Sequence, residues 1–231
     1  MSRLISHALL AALLAGGCGV AAAQVSIRAG ISHIAPHSSA SDAVGPMLPG
    51  PPSGISVEVQ NKSTLFLSLA YGFHPNMEVE LALGYPPTHD VNGKIAANLP
   101  PHIAAFNGQK LAEVRQIAPT LFFNYKFGEA NSQWRPFVGI GVNYTNFDKT
   151  KSTAANNALN GGPTDISLSD SWGLAGQVGL SYRINERWSI LGAVATAKVK
   201  TKLTTTTAGV QRNIDIRFRP TVLTVAAAYN F

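Results

Sequence analysis

Leu223, Val225, Ala227, Tyr229 and Phe231 occupy every second position of the last stretch of the chain. Two is the side-chain period of a β-strand, so all five share one face. Stretches of the same pattern recur from shortly after the N-terminal segment up to this terminal aromatic. Outer-membrane β-barrels carry such alternation, with the apolar parity turned toward lipid. The expectation is an all-β protein that lives in a bilayer.

The N-terminus agrees with that compartment. Arg3 precedes an apolar run from Ala8 to Leu14, and Ala21-Ala22-Ala23 supplies the small residues of a cleavage site before Gln24. The run is too short to span a bilayer as a helix. Cys18 as a lipid-modified cysteine is a competing reading, but Ala15-Gly16-Gly17 before it lacks the bulky residue such sites usually carry. Residues 1–23 are therefore expected to be a signal peptide, and residues 24–231 the mature domain. Cleavage there removes the one cysteine, so disulfides and thiol chemistry drop out. It also removes Arg3, which takes the formal charge from +6 to +5.

No later segment approaches the ~20 continuous apolar residues of a transmembrane helix. A closed barrel is the other way to cross lipid with every backbone group satisfied. The alternation fits an eight-stranded antiparallel transmembrane β-barrel. Strand one runs about 25–34. Leu65 to Phe73 forms strand two, turns at His74-Pro75-Asn76, and returns as strand three with Val79, Leu81, Leu83 and Tyr85. Strand four puts Leu121, Phe123, Tyr125 and Phe127 outward, and strand five Val138, Ile140, Val142 and Tyr144. In strand six Trp172, Leu174, Val178, Leu180 and Tyr182 alternate with small or polar residues. Strands seven and eight run about 188–202 and 213–231.

Connections near residues 75, 130 and 186 are short, whereas those at about 36–62, 87–112, 149–168 and 203–212 are long. Outer-membrane barrels keep short turns in the periplasm and long loops outside, which orients the chain. Phe73, Phe127, Trp134, Tyr182, Trp188 and Phe231 then form a periplasmic aromatic girdle. A soluble lipocalin-like barrel would bury its apolar face inward and leaves the outward Leu, Phe and Trp unexplained.

Pro119-Thr120-Leu121 through Phe127-Gly128, Trp134-Arg135-Pro136-Phe137-Val138-Gly139-Ile140-Gly141-Val142-Asn143-Tyr144, and Leu168-Ser169-Asp170-Ser171-Trp172-Gly173-Leu174-Ala175-Gly176-Gln177-Val178-Gly179 resemble the OmpW family of outer-membrane proteins, which includes AlkL. The resemblance covers strands two to eight. It implies an eight-stranded barrel with a narrow, largely apolar lumen that passes small hydrophobic molecules, with exit sideways through the wall. A bulky aromatic that some members carry inside strand seven corresponds here to Ala195.

The inward parity can be read without the family. Near the periplasmic end it holds Arg28, Glu78, Glu80, Lys126, Arg135 and Arg183, charges that must pair in so narrow a ring and so form a plug. Above them the inward residues are apolar or small, and Phe66, Phe122, Phe137, Gly139, Leu191, Ala195 and Val222 are the candidate lumen contacts. Eight strands leave room only for side chains or one small ligand, which disfavours a hydrophilic pore. A solute stopped by the plug leaves through the wall, where strands five to seven are rich in Gly and Ala. Those small residues serve equally to let a narrow barrel close.

Lys198, Lys200, Lys202, Arg217 and Arg219 share the outward parity at the outer end of the last hairpin. Such cations cost ~2–4 kcal/mol at the bilayer midplane but little at its surface, so they mark the headgroup level, with lipopolysaccharide phosphate as the expected partner. Nucleic acid is not expected, because no basic face is interleaved with aromatics. Nor is an enzyme. His37 beside Ser38 and Ser39 alternates faces with them, and His33 or His37 with Asp42 has no recurring geometry. His89, Asp90 and His102 match no compact metal site, and no cofactor is called for. The reading is a passive channel for small hydrophobic solutes in the outer membrane. Its rival is a non-transporting structural or surface-interaction barrel.

Overall fold

Period-two segments fold into strands whose apolar parity points outward. In the computed structural model, which describes residues 24–46, 48 and 52–231, Ile140 is 74% exposed and Trp172 73%, as lipid-facing residues of a barrel must be. The expected signal peptide and Met47 lie outside the described residues. The wall consists of β1 (Gln24–Ala35), β4 (Lys62–His74), β5 (Met77–Gly84), β8 (Thr120–Lys126), β9 (Trp134–Ser152), β11 (Ser171–Arg183), β12 (Trp188–Ala197) and β15 (Thr221–Asn230). Every neighbour is antiparallel, and the order β9-β11-β12-β15-β1-β4-β5-β8 returns to β9, so no edge is left open. Ser26 pairs with Asn230, and the Phe231 N–H donates to the Val25 carbonyl at 2.9 Å, which joins the two ends of the chain.

The short turns, between β4 and β5, β8 and β9, and β11 and β12, share one end with the expected aromatics. Trp134 and Tyr182 rings are 4.5 Å apart, Trp188 and Tyr229 5.1 Å, and Tyr229 and Phe231 4.9 Å. At the other end Tyr144 and Trp172 meet at 4.7 Å, with Tyr85 exposed nearby in sequence to β5. These two belts bracket the bilayer.

Above the outer belt the chain departs from the expectation of long loops. It builds a second tier of strands: β2 (Ser38–Ala40), β3 (Ile55–Val59), β6 (Thr88–Ile95), β7 (Lys110–Ile117), β10 (Thr164–Leu168), β13 (Val199–Thr207) and β14 (Val210–Phe218). They pair as β3-β6-β7 with the upper half of β9, and as β10-β13-β14-β2. The segment 203–212 is no loop, since a two-residue turn at Ala208-Gly209 joins β13 to β14. Each of the expected strands seven and eight is really two. At 19 residues β9 is about 60 Å long, roughly twice what a tilted strand needs to cross lipid.

Between the tiers nearly every stave breaks at one level, and prolines mark four of the breaks: Pro36 after β1, Pro86 and Pro87 after β5, Pro119 before β8 and Pro220 before β15. Proline cannot donate to a ladder, so pairing is interrupted where it sits. Among the described residues β9 alone passes through unbroken. The outer tier has its own apolar core, in which Val57, Val91, Val114, Ile214 and Ile216 are buried and Leu48 packs against them. Two short helices, α1 (Pro101–Ala104) and α2 (Ala154–Asn160), cover its top.

Candidate functional site

Inward parity on five strands brings the plug together. Arg28 of β1 reaches Glu78 at 2.6 Å and Glu80 at 2.9 Å, both on β5, and Lys126 of β8 holds the second oxygen of Glu78 at 2.5 Å. Two cations thus balance two anions. The remaining carboxylate positions are filled by neutral donors: Asn124 Nδ2 donates to Glu78 at 3.0 Å and to Glu80 at 2.9 Å, Gln177 Nε2 to Glu80 at 3.0 Å, and Ser68 Oγ to Glu80 at 2.7 Å. Gln177 also donates to Asn124 Oδ1 at 2.8 Å. Charges out of bulk water persist only when paired and hydrogen-bonded in this way.

Asn124, Gln177 and Ser68 were missed in the sequence reading, which followed charge alone. Their parity was the available signal: Asn124 shares its face with Phe122 and Lys126, and Gln177 with Ala175 and Gly179. Conversely, Arg135 and Arg183 stand outside the network. Arg135 donates to the Pro75 carbonyl at 2.9 Å, and both arginines line a small space of about 100 Å³ beneath the plug with Glu186.

Above the plug lies an apolar cavity of about 180 Å³ whose floor includes Glu80 and Gln177. Phe66, Phe122, Phe137, Leu191, Ala195 and Val222 line it. The seventh expected lumen residue, Gly139, does not. A Cβ there would lie 2.1 Å from Asn124 Oδ1 and 2.9 Å from Gln177 Cγ, so Gly139 is the spot where the plug presses on the wall. Gly179 likewise leaves room for the Phe137 ring, 2.4 Å from where a Cβ would sit. At Gly139 and Gly179 the missing side chain therefore makes room for a close neighbour.

The cavity continues through the level of the prolines into the outer tier, past Pro86, Pro87, His89, Val91, Leu203 and Ile216. Leu65 and Leu83 border it as well, although their side chains face lipid. Here the β4–β5 ladder ends: the Tyr85 N–H donates to the Leu65 carbonyl at 3.0 Å, and Thr64 Oγ1 donates to the Tyr85 carbonyl at 2.6 Å. Beyond these bonds come Pro86 and Pro87, and β6 pairs with β3 instead of β4.

The five expected basic residues point outward and are exposed. Lys200 stands directly across from Arg217, and Lys202 across from Asp215. A like-charge pair opposite in a ladder is unfavourable on its own. Of the histidines, His33 is exposed with Nδ1 3.0 Å from Ser63 Oγ, and His89 is buried; no group of three metal-ligating side chains forms among the described residues.

A model of the OmpW family matches residues 21–231. The chain belongs to the OmpW family. Among its OmpW-family relatives, outer membrane protein W of Vibrio cholerae is 31% identical over 89% of this chain and 87% of its own length. Outer membrane protein AlkL of Ectopseudomonas oleovorans is 27% identical over 76% of this chain and 69% of its own. The crystal structure of OprG from Pseudomonas aeruginosa superimposes with a TM-score of 0.78 at 28% identity, covering 90% of this chain and 96% of that one. As an OmpW-family barrel the protein resides in the outer membrane and is of the channel or transporter type.

Proposed function

We propose that the barrel is a passive entry route for small hydrophobic solutes, which descend through the outer tier into the cavity and leave sideways above the plug. The observation that carries this reading is an apolar cavity set directly on a charge-balanced, hydrogen-bonded polar floor. An apolar cavity of ~150 Å³ is already large enough to stay dry and accept a benzene-sized guest. An apolar solute gains nothing from the charged and amide groups of the plug below and would have to break their pairing to pass, so straight passage to the periplasm is unfavourable.

Sideways exit is supported at the end of the β4–β5 ladder. The wall there is held by the Thr64–Tyr85 bond and then interrupted by two prolines, and the lipid-facing Leu65 and Leu83 border the cavity. A solute leaving at that point enters the outer leaflet without crossing the charged headgroups. Lys198, Lys200, Lys202, Arg217 and Arg219 fit lipopolysaccharide phosphates above this point. An anion between Lys200 and Arg217 turns their repulsion into attraction.

The test is to locate a heavy-atom solute. In crystals soaked with a short bromoalkane, the reading predicts anomalous signal between Phe66, Phe122 and Leu191 and a second position beside Leu65 and Leu83. Signal confined to the lipid-facing surface would favour the structural barrel.

A further inference from the structure

We propose that His89 is a specificity contact through which the cavity selects apolar solutes that carry a hydrogen-bond donor, such as short-chain alcohols and phenols. This deepens the channel reading and rests on it. His89 lies on β6, just past the outer belt, on the inward parity it shares with Val91, and it is 3% exposed. Its Nδ1 is 3.0 Å from the carbonyl oxygen of Gln60. A carbonyl only accepts, so Nδ1 carries the proton. Gln60 is itself fixed, since its N–H donates to the Asp90 carbonyl at 2.9 Å, and the ring orientation is fixed with it.

A neutral imidazole has one ring proton, so Nε2 keeps its lone pair and is an acceptor. That atom is buried and has no partner. Buried polar atoms in native proteins are nearly always satisfied, and since His89 is a lining residue of the cavity, the missing partner of its ring is one that the cavity can supply. Most other polar side chains around this space are already engaged: Ser32 with Thr224 at 2.7 Å, Thr64 with the Tyr85 carbonyl, Asn143 with Thr120 at 2.9 Å, and Glu80 and Gln177 within the plug; Gln116 and Thr196 also border it and make no side-chain hydrogen bond. His89 is thus a buried free acceptor in a largely apolar wall. Burial favours the neutral ring; the nearby charges are Lys62, which adds to that effect, and Asp90, which opposes it. A donor solute finds a partner in Nε2, whereas a ketone gains nothing from that atom.

Two measurements decide it. In bilayers holding the 15N-histidine-labelled protein, the Nε2 resonance of His89 moves upfield as phenol is added and stays in place with toluene. A resonance that phenol leaves unmoved, as when a trapped water already occupies the site, overturns the proposal. In cells, the entry of hexan-1-ol relative to hexane falls about three- to tenfold in His89→Leu, the range one net hydrogen bond spans, and recovers in His89→Gln, which restores an acceptor. Equal ratios in all three forms overturn the role of His89 and leave the channel standing. Entry of neither solute above cells lacking the protein overturns both.

Discussion

Arg28 and Glu78 meet at 2.6 Å inside the barrel, with Arg28 5% and Glu78 2% exposed. Removing one partner of such a pair leaves a buried charge uncompensated. Arg28→Met strands both Glu78 and Glu80 with Lys126 as their one remaining cation, and is expected to cost about 3–5 kcal/mol. Equilibrium unfolding from lipid vesicles measures it. A loss below about 1 kcal/mol, the range of surface ion pairs, would mean that water reaches the plug.

Gly139 and Gly192 make a matched pair of substitutions. A Cβ on Gly139 collides with Asn124, whereas one on Gly192 meets nothing within 4 Å. Gly139→Ala is therefore expected to destabilise the barrel by about 1–3 kcal/mol, as overpacking does. Gly192→Ala is expected to stay within about 0.5 kcal/mol of the parent. The same unfolding assay compares them, and equal effects would contradict the placement of the plug against β9.

The hairpin at Ala208-Gly209 places a non-glycine residue at φ 48°. Two-residue hairpin turns with positive φ at both positions prefer Asn-Gly. Ala208→Asn should stabilise the outer tier by roughly 0.4–1 kcal/mol, since the backbone then adopts a conformation its residue accepts. Amide exchange in β13 and β14 would slow accordingly.

His89 makes the outer tier acid-sensitive. Burial lowers its pKa below the ordinary 6.5, so below that pH the unfolded chain takes up a proton that the folded one resists. Stability is fully present above pH 6.5 and is lost as pH falls toward the depressed folded value. Amide exchange in β6 should accelerate over that window in the parent and lose this dependence in His89→Phe. An unchanged pH profile in the variant would assign the sensitivity to another group.

The membrane-spanning wall was legible because lipid imposes one rule on it: Leu65, Leu67 and Leu69 alternate with Phe66, Ser68 and Ala70 without exception, and a one-residue slip would put every side chain on the wrong face. Charge made Arg28, Glu78, Glu80 and Lys126 visible for the same reason. The neutral members of the plug were not visible, since an isolated Asn124 or Gln177 looks like any other inward polar residue until its partners are known. Apart from the parts of β13 and β14 that fall within the expected strands seven and eight, the outer tier reads as loops, because ~10 residues suffice to cross lipid. Yet His89, Val91, Gly93 and Ile95 alternate as clearly as the wall does. The turn at 208–209 was hidden by Ala208, which lacks the signature of a tight hairpin. Parity alone assigns Gly139 to the lumen, since parity says which way a side chain would point and nothing about what already fills that space.

Uptake is the most direct test of the central claim. Ala195 lines the cavity, so Ala195→Trp should fill it while the wall stays intact, whereas Gly192→Trp adds the same bulk on the lipid-facing side, where nothing lies within 4 Å. Entry of a short-chain alkane into cells carrying the protein is predicted to exceed that into cells lacking it, to fall to that background in Ala195→Trp, and to persist in Gly192→Trp. Equal entry in all four would contradict passage through the barrel interior.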